Sequence, residues 1–154
     1  VLALRLIAGI ATEGLDENKQ FHLGGNKAGT GMTSIHNNSF PLRGFSPSAF
    51  SGNHLLAGSL EYRFPIATVE RNIGFDWASL FLERISGTLF LDGGNAWEDN
   101  FSLSPGDINA SIGAELNFKF NQAHNRPFTL TIGTGKAITE PSQYRFYFQT
   151  GISF

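Results

Sequence analysis

Two short runs hold the residues whose types and spacing invite chemistry: Leu42-Arg43-Gly44-Phe45, and Phe90-Leu91-Asp92-Gly93-Gly94-Asn95-Ala96-Trp97. An arginine followed by glycine and an aromatic is the pattern of a tight turn that presents a guanidinium. A carboxylate such as Asp92 can receive it in two parallel N–H···O bonds, an arrangement that gains strength away from bulk water. Glu61, Asp92 and Glu115 lie on the polar parity of their segments, and paired carboxylates are also the equipment of acid–base catalysis. The plainer reading, adopted here, is that these carboxylates pair along a wall with Arg5, Arg63 or Lys119. His22, His36, His54 and His124 are scattered without the fixed spacing that a metal site requires, so no metal is expected. The glycine-rich Gly24–Gly31 and Gly133–Lys136 stretches lack the Gly-Lys-Ser/Thr ending of a phosphate loop. They read as loop and strand-end glycines. No nucleophile elbow is present.

The elements that would position these residues are written in a period of two. From Leu2 to Ile10 the apolar set Leu2, Leu4, Leu6, Ala8, Ile10 alternates with Arg5 and Gly9. His54–Ile66, Ile85–Gly94, Ile108–Phe120, Phe128–Thr134 and Tyr144–Phe154 continue the pattern. The expectation is six strands of about 8–13 residues. Soluble strands average about 5–6 residues, whereas a strand crossing a bilayer needs about 9–11. One face is apolar with aromatics near its ends (Tyr62, Phe64, Phe118, Phe120, Phe128, Phe154), and the other carries Arg, Glu, Asn, Ser, Thr and Gly. That is the distribution of a transmembrane barrel with an outer lipid face and a polar lumen. A soluble up-and-down barrel is the alternative. Among the connections, 13–53 is a long Gly-, Asn- and Ser-rich loop and Asn121–Arg126 a short polar turn. Ala67–Arg84 reads as an unusually long turn in which Phe75–Leu82 is a short interfacial helix or a strand extension.

Composition narrows the function classes. Charged residues are 16% of the chain, against about 25% in ordinary soluble domains, while Gly (18) and Phe (15) are heavily used. With Lys+Arg 11 and Asp+Glu 13 there is no basic stripe, so no nucleic-acid partner is expected. The absence of cysteine from the chain excludes disulfides, thiolate metal sites and cysteine nucleophiles. The opening Val1–Ala11 is too short for a signal peptide and is read as a cut edge inside a longer protein, with a processed N-terminus as the alternative.

Taken in order, these features resemble the C-terminal part of the BamA/TamA superfamily of outer-membrane assembly and translocation barrels, the bacterial surface antigens. The family's Phe-x-x-Gly-Gly loop base is matched by Phe21, Gly24 and Gly25. Its Arg-Gly-Phe/Tyr loop tip is matched by Arg43, Gly44 and Phe45, and its Phe-x-Asp-x-Gly strand by Phe90, Asp92 and Gly94. The alternating end, Phe146, Phe148, Thr150, Ile152, Phe154, resembles the insertion signal of outer-membrane barrels. The resemblance covers essentially the whole chain. It implies an all-β fold: an antiparallel transmembrane barrel segment of about six strands, the last six of sixteen, with a long loop folded inward. It further implies that Asp92 and Phe90 receive Arg43. The Tyr62-Arg63-Phe64-Pro65 run and the long Ala67–Arg84 turn resemble surface-antigen barrels fused to other periplasmic domains more than the central assembly factor.

The function expected from that resemblance is non-enzymatic assistance in inserting or translocating proteins at the outer membrane of a Gram-negative bacterium or a related organelle, without a cofactor. The implied partners are outer-membrane lipids, the remaining barrel strands and periplasmic domains of the same protein, and nascent outer-membrane proteins. Tyr144–Phe154 would be the last strand at a weak seam, with Gly151 weakening it further. The alternative is a complete eight-stranded barrel with a structural or adhesive role, drawing extra strands from Gln20–Gly25 and Gly31–Phe40. A barrel enzyme is disfavoured because no Ser, His and carboxylate fall at a workable spacing.

Overall fold

Period-two alternation becomes a single antiparallel wall in the computed structural model, which describes residues 1–11, 20–26, 39–73, 80–98, 105–122, 126–139 and 142–152. Among the described residues the strands in chain order are β1 (Leu2–Ile10), β2 (Phe21–Leu23), β3 (Ser39–Phe40), β4 (Phe50–Gly52), β5 (His54–Asn72), β6 (Leu80–Trp97), β7 (Asn109–Gln122), β8 (Arg126–Ala137) and β9 (Tyr144–Ile152), with a 3-10 turn at Pro105–Asp107. Six of them form a sheet in the order β1-β5-β6-β7-β8-β9, which does not close on itself. Each neighbouring pair in it is antiparallel.

Its two faces separate as the alternation predicts. Leu2, Leu4, Leu6 and Ile10 on β1, Leu60 and Tyr62 on β5, Leu89 and Leu91 on β6, Ile112 and Leu116 on β7, Ile132 on β8, and Tyr144, Phe146 and Phe148 on β9 are all exposed. A soluble sheet would bury such a set under a second layer. Here the buried apolar residues lie on the opposite, concave face, apart from Phe120, which stacks on Phe128. Leu55, Ala57, Ala96 and Ala137 of the wall enclose Leu23, Leu42 and Phe45 of the loop, with Ile7, Phe21, Phe40 and Phe50 packed around them. The hydrophobic core is therefore the contact between wall and inward loop.

Inside the loop, β2 pairs with β3 in parallel and with β4 in antiparallel fashion, forming a separate three-stranded sheet. This corrects the eight-stranded alternative. Phe21–Leu23 and Ser39–Phe40 pair with each other instead of joining the wall, and β1 pairs directly with β5 across the loop. Residues 31–38 of that alternative lie outside the described residues.

The expected long turn at Ala67–Arg84 is also revised. β5 and β6 run 19 and 18 residues, to Asn72 and from Leu80, so most of that stretch is strand extension. Leu80–Leu82 is strand and not helix; 74–79 lies outside the described residues. Register shifts at Pro65/Ala67, Thr68/Arg71 and Leu82/Arg84 explain why the alternation fades there. A bulge inserts an unpaired residue and so reverses the facing of the side chains beyond it.

Candidate functional site: the loop arginine in the concave wall

Three adjacent cross-strand rows on the concave face bring the site together. One reads Arg5, Ser59, Asp92, Ser111, Ala137; the next Glu61, Phe90, Gly113, Gly135, Arg145; the third Arg63, Thr88, Glu115, Gly133, Tyr147. Because side chains alternate across a strand, every member of these rows lies on the side that the loop enters.

The loop delivers Arg43 onto them. Its Nε donates to Asp92 Oδ2 and its Nη2 to Asp92 Oδ1, both at 2.7 Å, and its backbone N–H reaches Oδ2 at 3.2 Å. Nη1 donates to Glu115 Oε1 at 3.0 Å. Nη2 also lies 3.0 Å from Ser59 Oγ and from Glu61 Oε1. The Ser59 hydroxyl donates to Asp92 Oδ1 at 2.7 Å. The guanidinium carbon lies 3.6 Å from the Phe90 ring centroid. Arg43 and Asp92 are each 2% exposed, so the guanidinium is removed from water on every side. Burial alone lowers the pKa of such a group, but the hydrogen bonds and charges of Asp92 and then Glu115 outweigh it, and the net displacement is upward. The arginine stays charged. Burying that charge is offset only by this near-complete set of partners.

The turn that aims Arg43 depends on two glycines. Gly44 has φ 101° and an added Cβ would sit 3.0 Å from Ser111 Cβ and 3.1 Å from Ala137 N; a side chain would be both strained and obstructed there. Gly24 has φ 140°, and a Cβ there would collide with the Ser46 carbonyl oxygen. The loop base thus cradles the turn: Gly24 N–H donates to Phe40 O, Gly25 N–H to Phe45 O, and Leu42 N–H to Gly25 O. Phe21 lays its ring against Gly9 of β1.

The other residues singled out from sequence are spread more widely. Phe45 points into the loop core, edge-on to Phe50 at 5.4 Å, and not toward the guanidinium. Gly94 shares the facing of Asp92 but approaches Leu56 O and Ala57 of β5. Phe146 and Phe148 face outward, 83% and 66% exposed. Gly151 falls on the inner parity, opposite Thr129, and Ile152 pairs in backbone register with Phe128. Phe154 lies outside the described residues.

Arg63 does pair with Glu61 along the wall, and Asp92 receives Arg43 as expected. Lys119 pairs instead with Glu83, and Glu115 is taken by the loop arginine. Sequence reasoning missed Tyr147 and Ser59 as members of the site. Tyr147 donates to Glu115 Oε1 at 2.7 Å. The sign that a group lands here was the small set Ser111, Gly113, Gly133, Gly135 and Ala137, all on one parity. That parity leaves the floor of the site free of bulky side chains.

The open antiparallel wall, its apolar convex face and a loop folded into its concave face are the features of a transmembrane β-barrel segment. The family model of the Omp85 superfamily domain matches residues 1–154, and the chain belongs to that superfamily, whose members are outer-membrane or organellar membrane proteins of protein insertion and translocation. The match is consistent with the BamA/TamA-type resemblance. No curated protein and no solved structure matches the chain.

Proposed function

We propose that this wall closes an outer-membrane barrel which assists the insertion or translocation of other proteins, with β9 at the seam where an incoming strand pairs. The observation that carries this reading is Arg43, fixed by Asp92, Glu115 and Phe90 inside the concave face of a wall whose other face is apolar. Among the described residues β9 pairs along one edge with β8, and its other edge is where a further strand can add by backbone pairing. In the sixteen-stranded arrangement that the resemblance implies, the first strand of the same protein meets β9. Outer-membrane lipids contact the exposed apolar face, and nascent outer-membrane proteins are the clients. The role is non-enzymatic and needs no cofactor, since Asp92 and Glu115, the groups best suited to proton transfer, are engaged with an arginine that does not titrate.

The full protein, reconstituted in phospholipid vesicles with a photo-crosslinking amino acid at Gln149, tests this against an added unfolded outer-membrane barrel protein. A cross-link to that client and faster client folding than in empty vesicles are expected. A folded, correctly inserted protein giving neither overturns the reading.

A further inference from the structure

The Arg43 site extends to the edge strand. Tyr147 of β9 donates to Glu115 Oε1 at 2.7 Å, the same oxygen that accepts Arg43 Nη1 at 3.0 Å. Two residues earlier on the same face, Arg145 Nη2 donates to Ser46 Oγ at 2.8 Å, three positions past Arg43 in the loop. Both side chains reach across β8 because the positions beneath them are Gly133 and Gly135, and a Cβ at Gly133 would overlap the Tyr147 ring. Among the described residues, the strand that β9 pairs with in the sheet is β8. Its hold there combines that backbone ladder with two side-chain ties, Tyr147 to Glu115 of β7 and Arg145 to Ser46 of the loop.

We infer that Tyr147 and Arg145 are positioning residues that couple the docking of the loop to the security of the edge strand. Glu115 is the shared element. When Arg43 is seated, Glu115 is held where the Tyr147 hydroxyl finds it, and when Arg43 leaves, that carboxylate loses its fixed place and Ser46 moves off with the turn. By linkage the effect runs both ways, and loosening β9 weakens the loop dock by the same factor. The inference rests on the seam reading only for its consequence: a strand that must release one edge to a client would be gated by the loop.

Hydrogen exchange of β9 backbone amides in the full protein, in lipid, tests the coupling independently of any client. Tyr147→Phe keeps the ring over Gly133 and removes one hydrogen bond, so β9 exchange should rise about fivefold while β5–β7 stays unchanged. Arg43→Lys, a milder change than Arg43→Ala and less exposed to misassembly, should also raise β9 exchange although it touches no β9 residue. Combined, the two should raise it by clearly less than the product of the single effects. Unchanged β9 exchange in Arg43→Lys, or effects that simply multiply, overturns the coupling. Coupled exchange together with unaltered client insertion leaves the coupling standing and overturns its link to the seam.

Discussion

Replacing Asp92 by asparagine tests the loop dock with almost no change in shape. The carboxylate receives four donors: Arg43 Nε and its backbone N–H at Oδ2, and Arg43 Nη2 and the Ser59 hydroxyl at Oδ1. An amide offers one acceptor, so whichever way it turns its NH2 group faces two of those donors. Ser59 can rotate to accept from it, but an arginine N–H cannot. The favoured orientation therefore sets the amide NH2 against Nη2 alone, and the substitution removes the negative charge from beneath a buried guanidinium; breaking a buried ion pair costs about 3–5 kcal/mol. Arg43 keeps Glu61 and Glu115, which places the loss at the lower end, about 3 kcal/mol. That shifts the docked-to-undocked ratio by about two orders of magnitude. Trypsin reads the ratio directly, because it cleaves after Arg43 only when that side chain, 2% exposed when docked, is released. Cleavage yielding a fragment that begins at Gly44 should accelerate about a hundredfold in Asp92→Asn protein held in membranes. A rate within about threefold of the unaltered protein would refute the assigned partnership.

Three other outcomes are expected of the same structure. Gly44→Ala, at φ 101° and against Ser111 and Ala137, should cost about 1–3 kcal/mol and raise the same cleavage by about ten- to a hundredfold. Leu89→Arg, on the exposed apolar face, should cost about 2–4 kcal/mol near the bilayer midplane, seen as loss of heat-modifiable gel mobility. Lys119→Gln removes the partly exposed pair with Glu83 and should change that mobility's midpoint temperature negligibly, since such pairs contribute about 0–1 kcal/mol.

Much of the wall was legible because alternation is a local property. The parity of Leu2 through Ile10, or of Asn109 through Phe120, states which side chains share a face. What a strand pairs with is not local, and the site depends on it. That Glu115 lies one row from Phe90 and two from Asp92 is set by the β6–β7 register, which no single segment encodes. Glu115 accordingly looked like a partner for a wall lysine, when its partner comes from the loop. The β5–β6 extension was obscured for another reason, since bulges around Pro65 and Thr68 break the period that reveals a strand. β2, β3 and β4 are two or three residues long, too short to show any period. They exist because the loop core and the Gly24–Gly25 cradle hold them.

In the proposed arrangement the convex face of this wall meets lipid and the concave face meets the loop and an aqueous interior. The chain contributes no cysteine, so single cysteines carrying spin labels can be placed at Leu4, Leu89 and Phe148 on the convex face and at Asn117 and Gln149 on the concave one. With the full protein in its membrane, collision with dissolved oxygen should dominate at the first three sites, and collision with a water-soluble nickel complex at the other two. Equal nickel accessibility at all five positions would mean that the two faces do not divide lipid from water.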